Sequence, residues 1–171
     1  STHMFLTFLL LRHQVPADSV SVTSIGSGAS AIAGIESGRI DAAWVADPAF
    51  TLVKKRNPGI RVLADLRSEE GTMKAFGVAI YPSAVLYSSA DWLRTNRDTA
   101  ARLARAIVKT LDWMKSRSEQ EIADRTPRAL RGADAALYVE ALRGSRAIFS
   151  TDGVMSPDGA AAVRQVLEVS I

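Results

Sequence analysis

The chain has no cysteine and only two histidines, His3 and His13, among its 171 residues. The absence of cysteine excludes disulfides, thiolate metal sites and cysteine nucleophiles. Two histidines close to one end of the chain leave little material for a histidine-rich metal site or a Ser-His-Asp triad. We therefore expect no bound metal, no cofactor and no catalytic residue.

The chain also lacks a strong charge of either sign and a long hydrophobic run. Its 21 basic and 18 acidic residues give a net charge of +3. No basic block with interleaved aromatic residues occurs, so we do not expect nucleic acid as a partner. The apolar segment 4–11 is too short to span a bilayer and has no basic flank, so this chain is not expected to insert into a membrane.

The pattern of residues predicts an α/β chain that becomes helical near residue 89. Strand-forming segments bounded by turn signals predict strands over 19–25, 39–45, 60–66 and 76–88. Periodic apolar residues and cap signals predict helices over 1–12, 90–95, 98–115, 134–142 and 156–169, with others after Ser30, Pro48 and Ser118. Residues 67–74 are polar and are predicted to form a loop.

Two of the predicted helices carry specific signals. The segment 98–115 places its apolar residues at spacings of three and four, which is typical of an amphipathic helix. Ser118 stands three residues before Glu121, the spacing of a capping box at a helix start.

Residues 19–50 contain the pattern that points most directly to a binding site. The first predicted strand runs into a Gly-Ser-Gly-Ala-Ser turn at residues 26–30, and the second ends at Ala46-Asp47-Pro48. In a βαβα unit the strand ends and helix starts lie at one edge of the sheet, where unpaired helix N–H groups and the positive dipole end attract anions. This arrangement predicts a cleft for a small anionic ligand.

The glycine-rich turn has three interpretations. Ser27 and Gly28 are candidate ligand contacts in an anion-binding nest, or the turn merely needs glycine for positive φ. The residues also match G-x-G-x-x-A, the dinucleotide fingerprint, with Asp47 about twenty residues later. The short helix before Gly38 and the early end of strand alternation disfavour the dinucleotide interpretation.

Other candidate ligand contacts lie at a helix start and a strand end. Ser1, Thr2 and His3 offer hydroxyls, backbone N–H groups and an imidazole to an anion, or they are a remnant of cloning. Asp47 either binds an ammonium or hydroxyl group of the ligand or acts as an N-cap, a role that aspartate fills well.

Several segments together resemble one protein family. The run Ser1-Thr2-His3-Met4-Phe5-Leu6, the turn at 26–30, the segment 38–48 (GRIDAAWVADP) and the segment 81–87 (YPSAVLY) are similar to substrate-binding proteins of nitrate/sulfonate/taurine-type ABC importers. These proteins share their fold with the thiamine-pyrimidine-synthesis-like family. The resemblance extends along nearly the whole chain in the same order and spacing.

The resemblance implies a type II periplasmic-binding-protein fold, in which two α/β lobes close over a ligand. It implies that residues 1–83 are the second lobe without its first strand, that residues 84–171 return to the first lobe, and that the chain is a carboxy-terminal fragment. Tyr81 then lies at a crossing between lobes, either as a wall of the cleft or as a packing residue of the hinge.

The implied function is non-catalytic delivery of a small anionic or zwitterionic solute to the membrane permease of an ABC importer. The implied location is the periplasm or another extracytoplasmic site, with the protein either free or lipid-anchored. A pyrimidine-forming enzyme and the effector-binding domain of a transcription regulator are the alternatives on the same fold. Nitrate, an alkylsulfonate, taurine, an aromatic carboxylate and a thiamine precursor all stay open as ligands.

Overall fold

The computed structural model describes residues 2–26 and 28–170, the last without its side chain. These residues form ten α-helices and two 3-10 helical turns, Ala17–Ser19 and Arg146–Ile148. The α-helices are Thr2–Arg12 (α1), Ala29–Glu36 (α2), Ala49–Arg56 (α3), Glu69–Phe76 (α4), Ala90–Thr95 (α5), Arg97–Lys115 (α6), Glu119–Arg125 (α7), Arg128–Arg131 (α8), Ala135–Ser145 (α9) and Pro157–Ser170 (α10).

The α/β prediction is not confirmed, because none of the four predicted strands is paired into a sheet within the described residues. A strand exists only through hydrogen bonds to a neighbour, whereas its sequence pattern reports a fit to a pleated, half-buried surface. Several apolar side chains of these segments lie at the surface, since Val22 is 48% exposed, Leu63 75% and Tyr87 88%, whereas Trp44 and Tyr81 pack against the core. The segments are irregular connections between helices.

The loop predicted over 67–74 is wrong, since α4 occupies Glu69–Phe76. The Ser68 side chain accepts a hydrogen bond from the Gly71 N–H, as an N-cap residue does. Two glutamates in the first turn and a lysine in the last complement the helix dipole, and Gly77 ends the helix in a left-handed conformation. These start and stop signals are all present in the sequence, and they outweigh the polar composition.

Other helix predictions are confirmed. The side chain of Ser118 accepts from the Glu121 N–H while the Glu121 carboxylate accepts from the Ser118 N–H, which completes the capping box of α7. The helices α1, α5, α6, α9 and α10 occupy their predicted positions to within a few residues. The four-residue helix α8 was not predicted.

The main core lies between α1, α4 and α10. Its buried residues are Phe8, Ala75, Phe76 and Val166, and partly buried apolar side chains pack around them. The helices α1 and α10 contact one another extensively, and α1 also packs on α4. The main core therefore depends on contacts between α1 and α10, which are far apart in the sequence.

A second cluster joins α2 and α3 through Ile32, Ala49 and Val53. Helix α9 packs on both α3 and α7, and the Lys55 ammonium lies 3.5 Å from the Glu140 carboxylate across α3 and α9. Contacts thus run between the helices before residue 83 and those after it. The lobe boundary implied by the resemblance stays a prediction.

Helix α6 is strongly amphipathic, yet none of its residues is buried. On its apolar face Leu103 is 45% exposed, and Ile107 and Val108 are each 43% exposed. Among the described residues, no helix is long and apolar enough to cross a membrane.

Candidate functional site

The start of α1 presents polar groups to solvent. Thr2 and His3 are exposed in the first turn, which contains no acidic residue. The first N–H groups of a helix have no partner within the helix, and the positive end of the dipole lies there. With no carboxylate in this turn, the helix start is suited to an external anion. Ser1, the third candidate of this group, lies outside the described residues.

Aromatic rings pack one turn further along α1. The Phe5 ring centroid lies 5.3 Å from that of Trp44, 5.6 Å from that of Phe76 and 5.2 Å from that of Tyr81. The contact with Tyr81 is edge-to-face, a favoured arrangement of aromatic pairs. The turn of α1 that follows Thr2 and His3 is therefore packed, through Phe5, against aromatic side chains from other parts of the chain.

Tyr81 acts as a packing residue in this aromatic cluster. Its ring contacts those of Phe5 and Phe76, each at 5.2 Å. Burial raises the pKa of its phenol, because the phenolate is poorly solvated there. The packing role left open by the sequence is observed, and a contact between Tyr81 and a ligand stays a prediction.

The glycine-rich turn adopts the conformation that requires glycine. Gly26 has φ +68° and Gly28 has φ +67°, so the predicted positive φ is confirmed at both positions. Gly28 directly precedes α2 and, being glycine, supplies no capping side chain to that helix. Ser27 lies outside the described residues. The strand that the dinucleotide fingerprint needs before its turn does not form in the described residues, so the motif lacks its structural context.

The Asp47 carboxylate is engaged within the protein. One oxygen accepts from the Thr51 backbone N–H at 3.1 Å and from the Thr51 hydroxyl at 2.5 Å. The other oxygen lies 3.4 Å from the Arg67 guanidinium, and the side chain is only 12% exposed. Asp47 thus satisfies a free N–H in the first turn of α3. The N-cap residue of α3 is Pro48, so Asp47 accepts from the helix start one position before the N-cap, and a contact between Asp47 and a ligand stays a prediction.

Arg67 connects this region, and the sequence analysis missed it. Its guanidinium donates two hydrogen bonds to the Asp65 carboxylate, at 2.8 and 2.7 Å, in addition to the contact with Asp47. It also stacks on the Phe50 ring at 4.4 Å from the centroid. Stacking and paired hydrogen bonds are the geometry for which arginine is better suited than lysine. No local sequence pattern marks this residue, because its partners lie at different distances along the chain.

Arg67 also affects the pKa of Asp65. Hydrogen bonds from Arg67 lower the pKa of Asp65, against a smaller opposing effect of burial. The same hydrogen bonds raise the pKa of Arg67. One cation is therefore shared between two carboxylates, with the stronger bond to Asp65.

The structure joins some of the predicted site residues and leaves others apart. Phe5 links Tyr81 to the first turns of α1, and it contacts Trp44, three residues before Asp47. Gly28 lies before α2 and has no side chain to contribute to this group. Among the described residues, no cluster of three or more His, Cys, Asp or Glu side chains is placed to hold a metal ion.

Comparisons with known proteins agree with one another. A family model described as NMT1/THI5 like matches residues 2–121. A solved structure of a protein from Bordetella bronchiseptica RB50 is 30% identical, with a TM-score of 0.84 over 99% of this chain and 53% of that chain. This chain therefore spans about half the length of that protein. No curated protein matches it.

Proposed function

Because the chain belongs to the NMT1/THI5-like family, we propose that it forms part of an extracytoplasmic solute-binding protein. In this proposal it delivers a small anionic or zwitterionic organic solute, such as a sulfonate, nitrate or taurine, to the permease of an ABC importer. The family match confirms the resemblance to nitrate/sulfonate/taurine-type binding proteins and supports a solute-binding role in general. Capture by closure of two lobes of a type II periplasmic-binding fold is the proposed mechanism, and it needs no catalytic group.

The observation that carries the proposal is the start of α1, which lies within the family-matched residues. Thr2 and His3 are exposed there, no acidic side chain occupies the first turn, and the aromatic cluster around Phe5 fixes the following turn. The positive end of the helix dipole, a hydroxyl and an imidazole are groups that interact favourably with a sulfonate or nitrate. A fixed base lowers the entropic cost of ordering such a site on binding.

Asp47 bears on the kind of ligand. An unpaired carboxylate in the cleft would favour a ligand with an amine, but this carboxylate contacts both Arg67 and Thr51. A carboxylate already paired with a cation repels an anion less, so Asp47 gives no preference for taurine over nitrate or an alkylsulfonate.

Calorimetry with taurine, nitrate and ethanesulfonate tests the site. Hydrogen bonds to a charged group contribute roughly 1.5–3 kcal/mol each, so Thr2→Ala combined with His3→Ala should weaken binding about tenfold or more. Thr99→Ala is the matched control, because Thr99 is exposed on α6, away from the start of α1. The control should bind like the parent protein.

Two results would contradict parts of the proposal. Unchanged affinity of the double variant would move the anion site away from the start of α1. Failure of every anion and zwitterion to bind, with the fold intact by circular dichroism, would remove the solute-binding function itself.

A further inference from the structure

The polar face of α6 carries a row of cations that the proposed solute site does not use. Arg102, Arg105, Lys109 and Trp113 follow one another at spacings of three and four, so they share one face of the helix. All three basic side chains are exposed, whereas the indole is half-buried. The row therefore runs along the surface and ends at an anchored aromatic ring.

This part of the chain is more positive than the whole. Residues 97–131 contain nine basic and five acidic side chains, which gives +4 against +3 for all 171 residues. A local excess of one sign attracts partners of the opposite sign and speeds their encounter.

A surface cavity lies where the row meets α7. It has a volume of about 210 Å³ and is lined by Lys109, Thr110, Trp113 and Arg125. Two of these four residues are cations, and no carboxylate is among them. The cavity is thus suited to a small anionic group that has an apolar side to place against the indole.

A neighbouring cavity is lined by side chains of both charges. It has a volume of about 300 Å³, and its lining includes Glu121 and Asp124 as well as Arg117. There the Arg117 guanidinium lies 3.4 Å from the Glu121 carboxylate. Arg117 of that cavity is therefore paired with a carboxylate of the protein itself, whereas Trp113 and Arg125 line both cavities.

Two guanidinium groups lie near the Trp113 indole. The Cζ atom of Arg125 lies 5.7 Å from the Trp113 ring centroid, and that of Arg117 lies 5.9 Å from it. Cations at this distance from an indole face are attracted to it. Tryptophan and arginine are also the residues that most often dominate the energy of protein–protein interfaces.

We propose that this basic face of α6, together with Trp113 and Arg125, docks an acidic polypeptide segment. A glutamate or aspartate of that segment enters the 210 Å³ cavity between Lys109 and Arg125, and flanking carboxylates meet Arg105 and Arg102. A glutamate side chain places methylene carbons directly beside its carboxylate and so contacts the indole and the two cations together, which favours an acidic polypeptide over the phosphates of a lipid surface or a nucleic acid. The inference does not depend on the identity of the transported solute.

The test uses a ten-residue peptide of alternating glutamate and glycine, with the matching glutamine peptide as the uncharged control. The ¹⁵N-labelled protein at about 50 mM salt, where exposed charges are weakly screened, is titrated with each peptide. The readout is the Trp113 indole resonance, assigned with Trp113→Phe. Saturable shifts with the glutamate peptide and none with the glutamine peptide are expected.

Charge reversal locates the site. Lys109→Glu combined with Arg125→Glu should weaken binding of the glutamate peptide about tenfold or more. Arg61→Glu combined with Arg164→Glu changes the net charge equally at exposed positions elsewhere and should leave binding nearly unchanged. Lys109→Gln and Arg125→Gln, made singly, serve the same purpose if the double reversal fails to fold.

Three results would overturn the proposal. Absence of any shift with the glutamate peptide is the first. Equal weakening by the two charge-reversal pairs would reduce the effect to net charge. Tighter binding of phosphatidylserine vesicles or single-stranded DNA than of the peptide, with the same dependence on Lys109 and Arg125, would assign the face to a membrane or a nucleic acid.

Discussion

At the scale of single residues, Arg67 determines how the carboxylates near α3 are held. It pairs with Asp65 and Asp47 at once and stacks on Phe50, so its removal would leave two carboxylates with less compensation. The pairing with Asp65 favours the charged form of that carboxyl and lowers its pKa. A group of this kind ties the stability of the folded protein to pH.

We expect part of the stability to disappear in acid. Because the pKa of Asp65 is lower when folded than when unfolded, its contribution is fully present above the unfolded value of about 3.9. The contribution is lost as the pH falls through the lower, folded value. Urea unfolding between pH 7 and pH 2.5 measures this change.

Asp65→Asn identifies the group responsible. The variant should be less stable than the parent at pH 7, and the difference should shrink towards the acid end of the range. Asp41→Asn is the control, because Asp41 is exposed. A difference between Asp65→Asn and the parent that stays constant with pH would contradict the assignment to Asp65.

At the scale of single elements, α4 depends on a close approach that only glycine permits. A Cβ atom at Gly71 would lie 1.8 Å from the Asp65 carbonyl oxygen, so the backbone of residue 65 would have to move. Helix propensity alone favours alanine over glycine by about 1 kcal/mol. Steric overlap with backbone outweighs that preference.

Gly71→Ala should therefore destabilise the protein by about 1–3 kcal/mol, the usual cost of overpacking. Gly59→Ala is the matched control, since a Cβ atom there meets no heavy atom within 4 Å. Its effect should stay within about 0.5 kcal/mol. Thermal or urea unfolding of both variants measures the two changes in stability. An unchanged stability of Gly71→Ala would show that the backbone of residues 65–68 can shift at little energetic cost.

Sequence reasoning succeeded where the signal is local. The Ser118–Glu121 capping box and the apolar period of α6 depend on residues within a turn or two of each other. The cap signals of α4 are equally local, but the loop prediction for residues 67–74 gave the polar composition more weight than these signals. The predicted strands failed for another reason: a strand is completed by a partner distant in the sequence, and none pairs with these segments in the described residues.

The candidate site also combines features that are local in sequence with contacts between distant residues. The positive φ values of Gly26 and Gly28, and the hydrogen bond from the start of α3 to Asp47, depend on residue type and on neighbours close in sequence. The contacts of Arg67 with Asp47 and of Phe5 with Tyr81 join residues far apart in sequence. Only the folded arrangement brings them together, so no spacing rule could identify them.

At the scale of the whole molecule, the last helix stabilises the first. Val166 on α10 is fully buried in the core that contains Phe8 and Phe76, and α10 packs along α1. The region that carries the proposed anion site therefore depends on a helix about 160 residues away in the sequence, a non-local contact of the kind that slows folding.

Val166→Ala should cost roughly 2 kcal/mol, because it leaves a cavity in the core. Val169→Ala on the same helix is the control, as Val169 is 50% exposed. Hydrogen exchange should show faster exchange of α1 amides in Val166→Ala and unchanged exchange in the control. Faster exchange confined to α10 would show that the two helices open independently.

The aromatic cluster around Phe5 also has an optical consequence. Trp44 is held against Phe5 at 5.3 Å in a fixed, asymmetric setting, while Trp92 is 39% exposed and Trp113 lies beside two arginines. A rigid indole in chiral surroundings gives a near-ultraviolet circular dichroism band. Tyr81 packs against the same Phe5 ring and can transfer excitation energy to the Trp44 indole. The protein thus contains its own spectroscopic reporter beside the proposed anion site, and its signal should fade when the packing of α1 loosens.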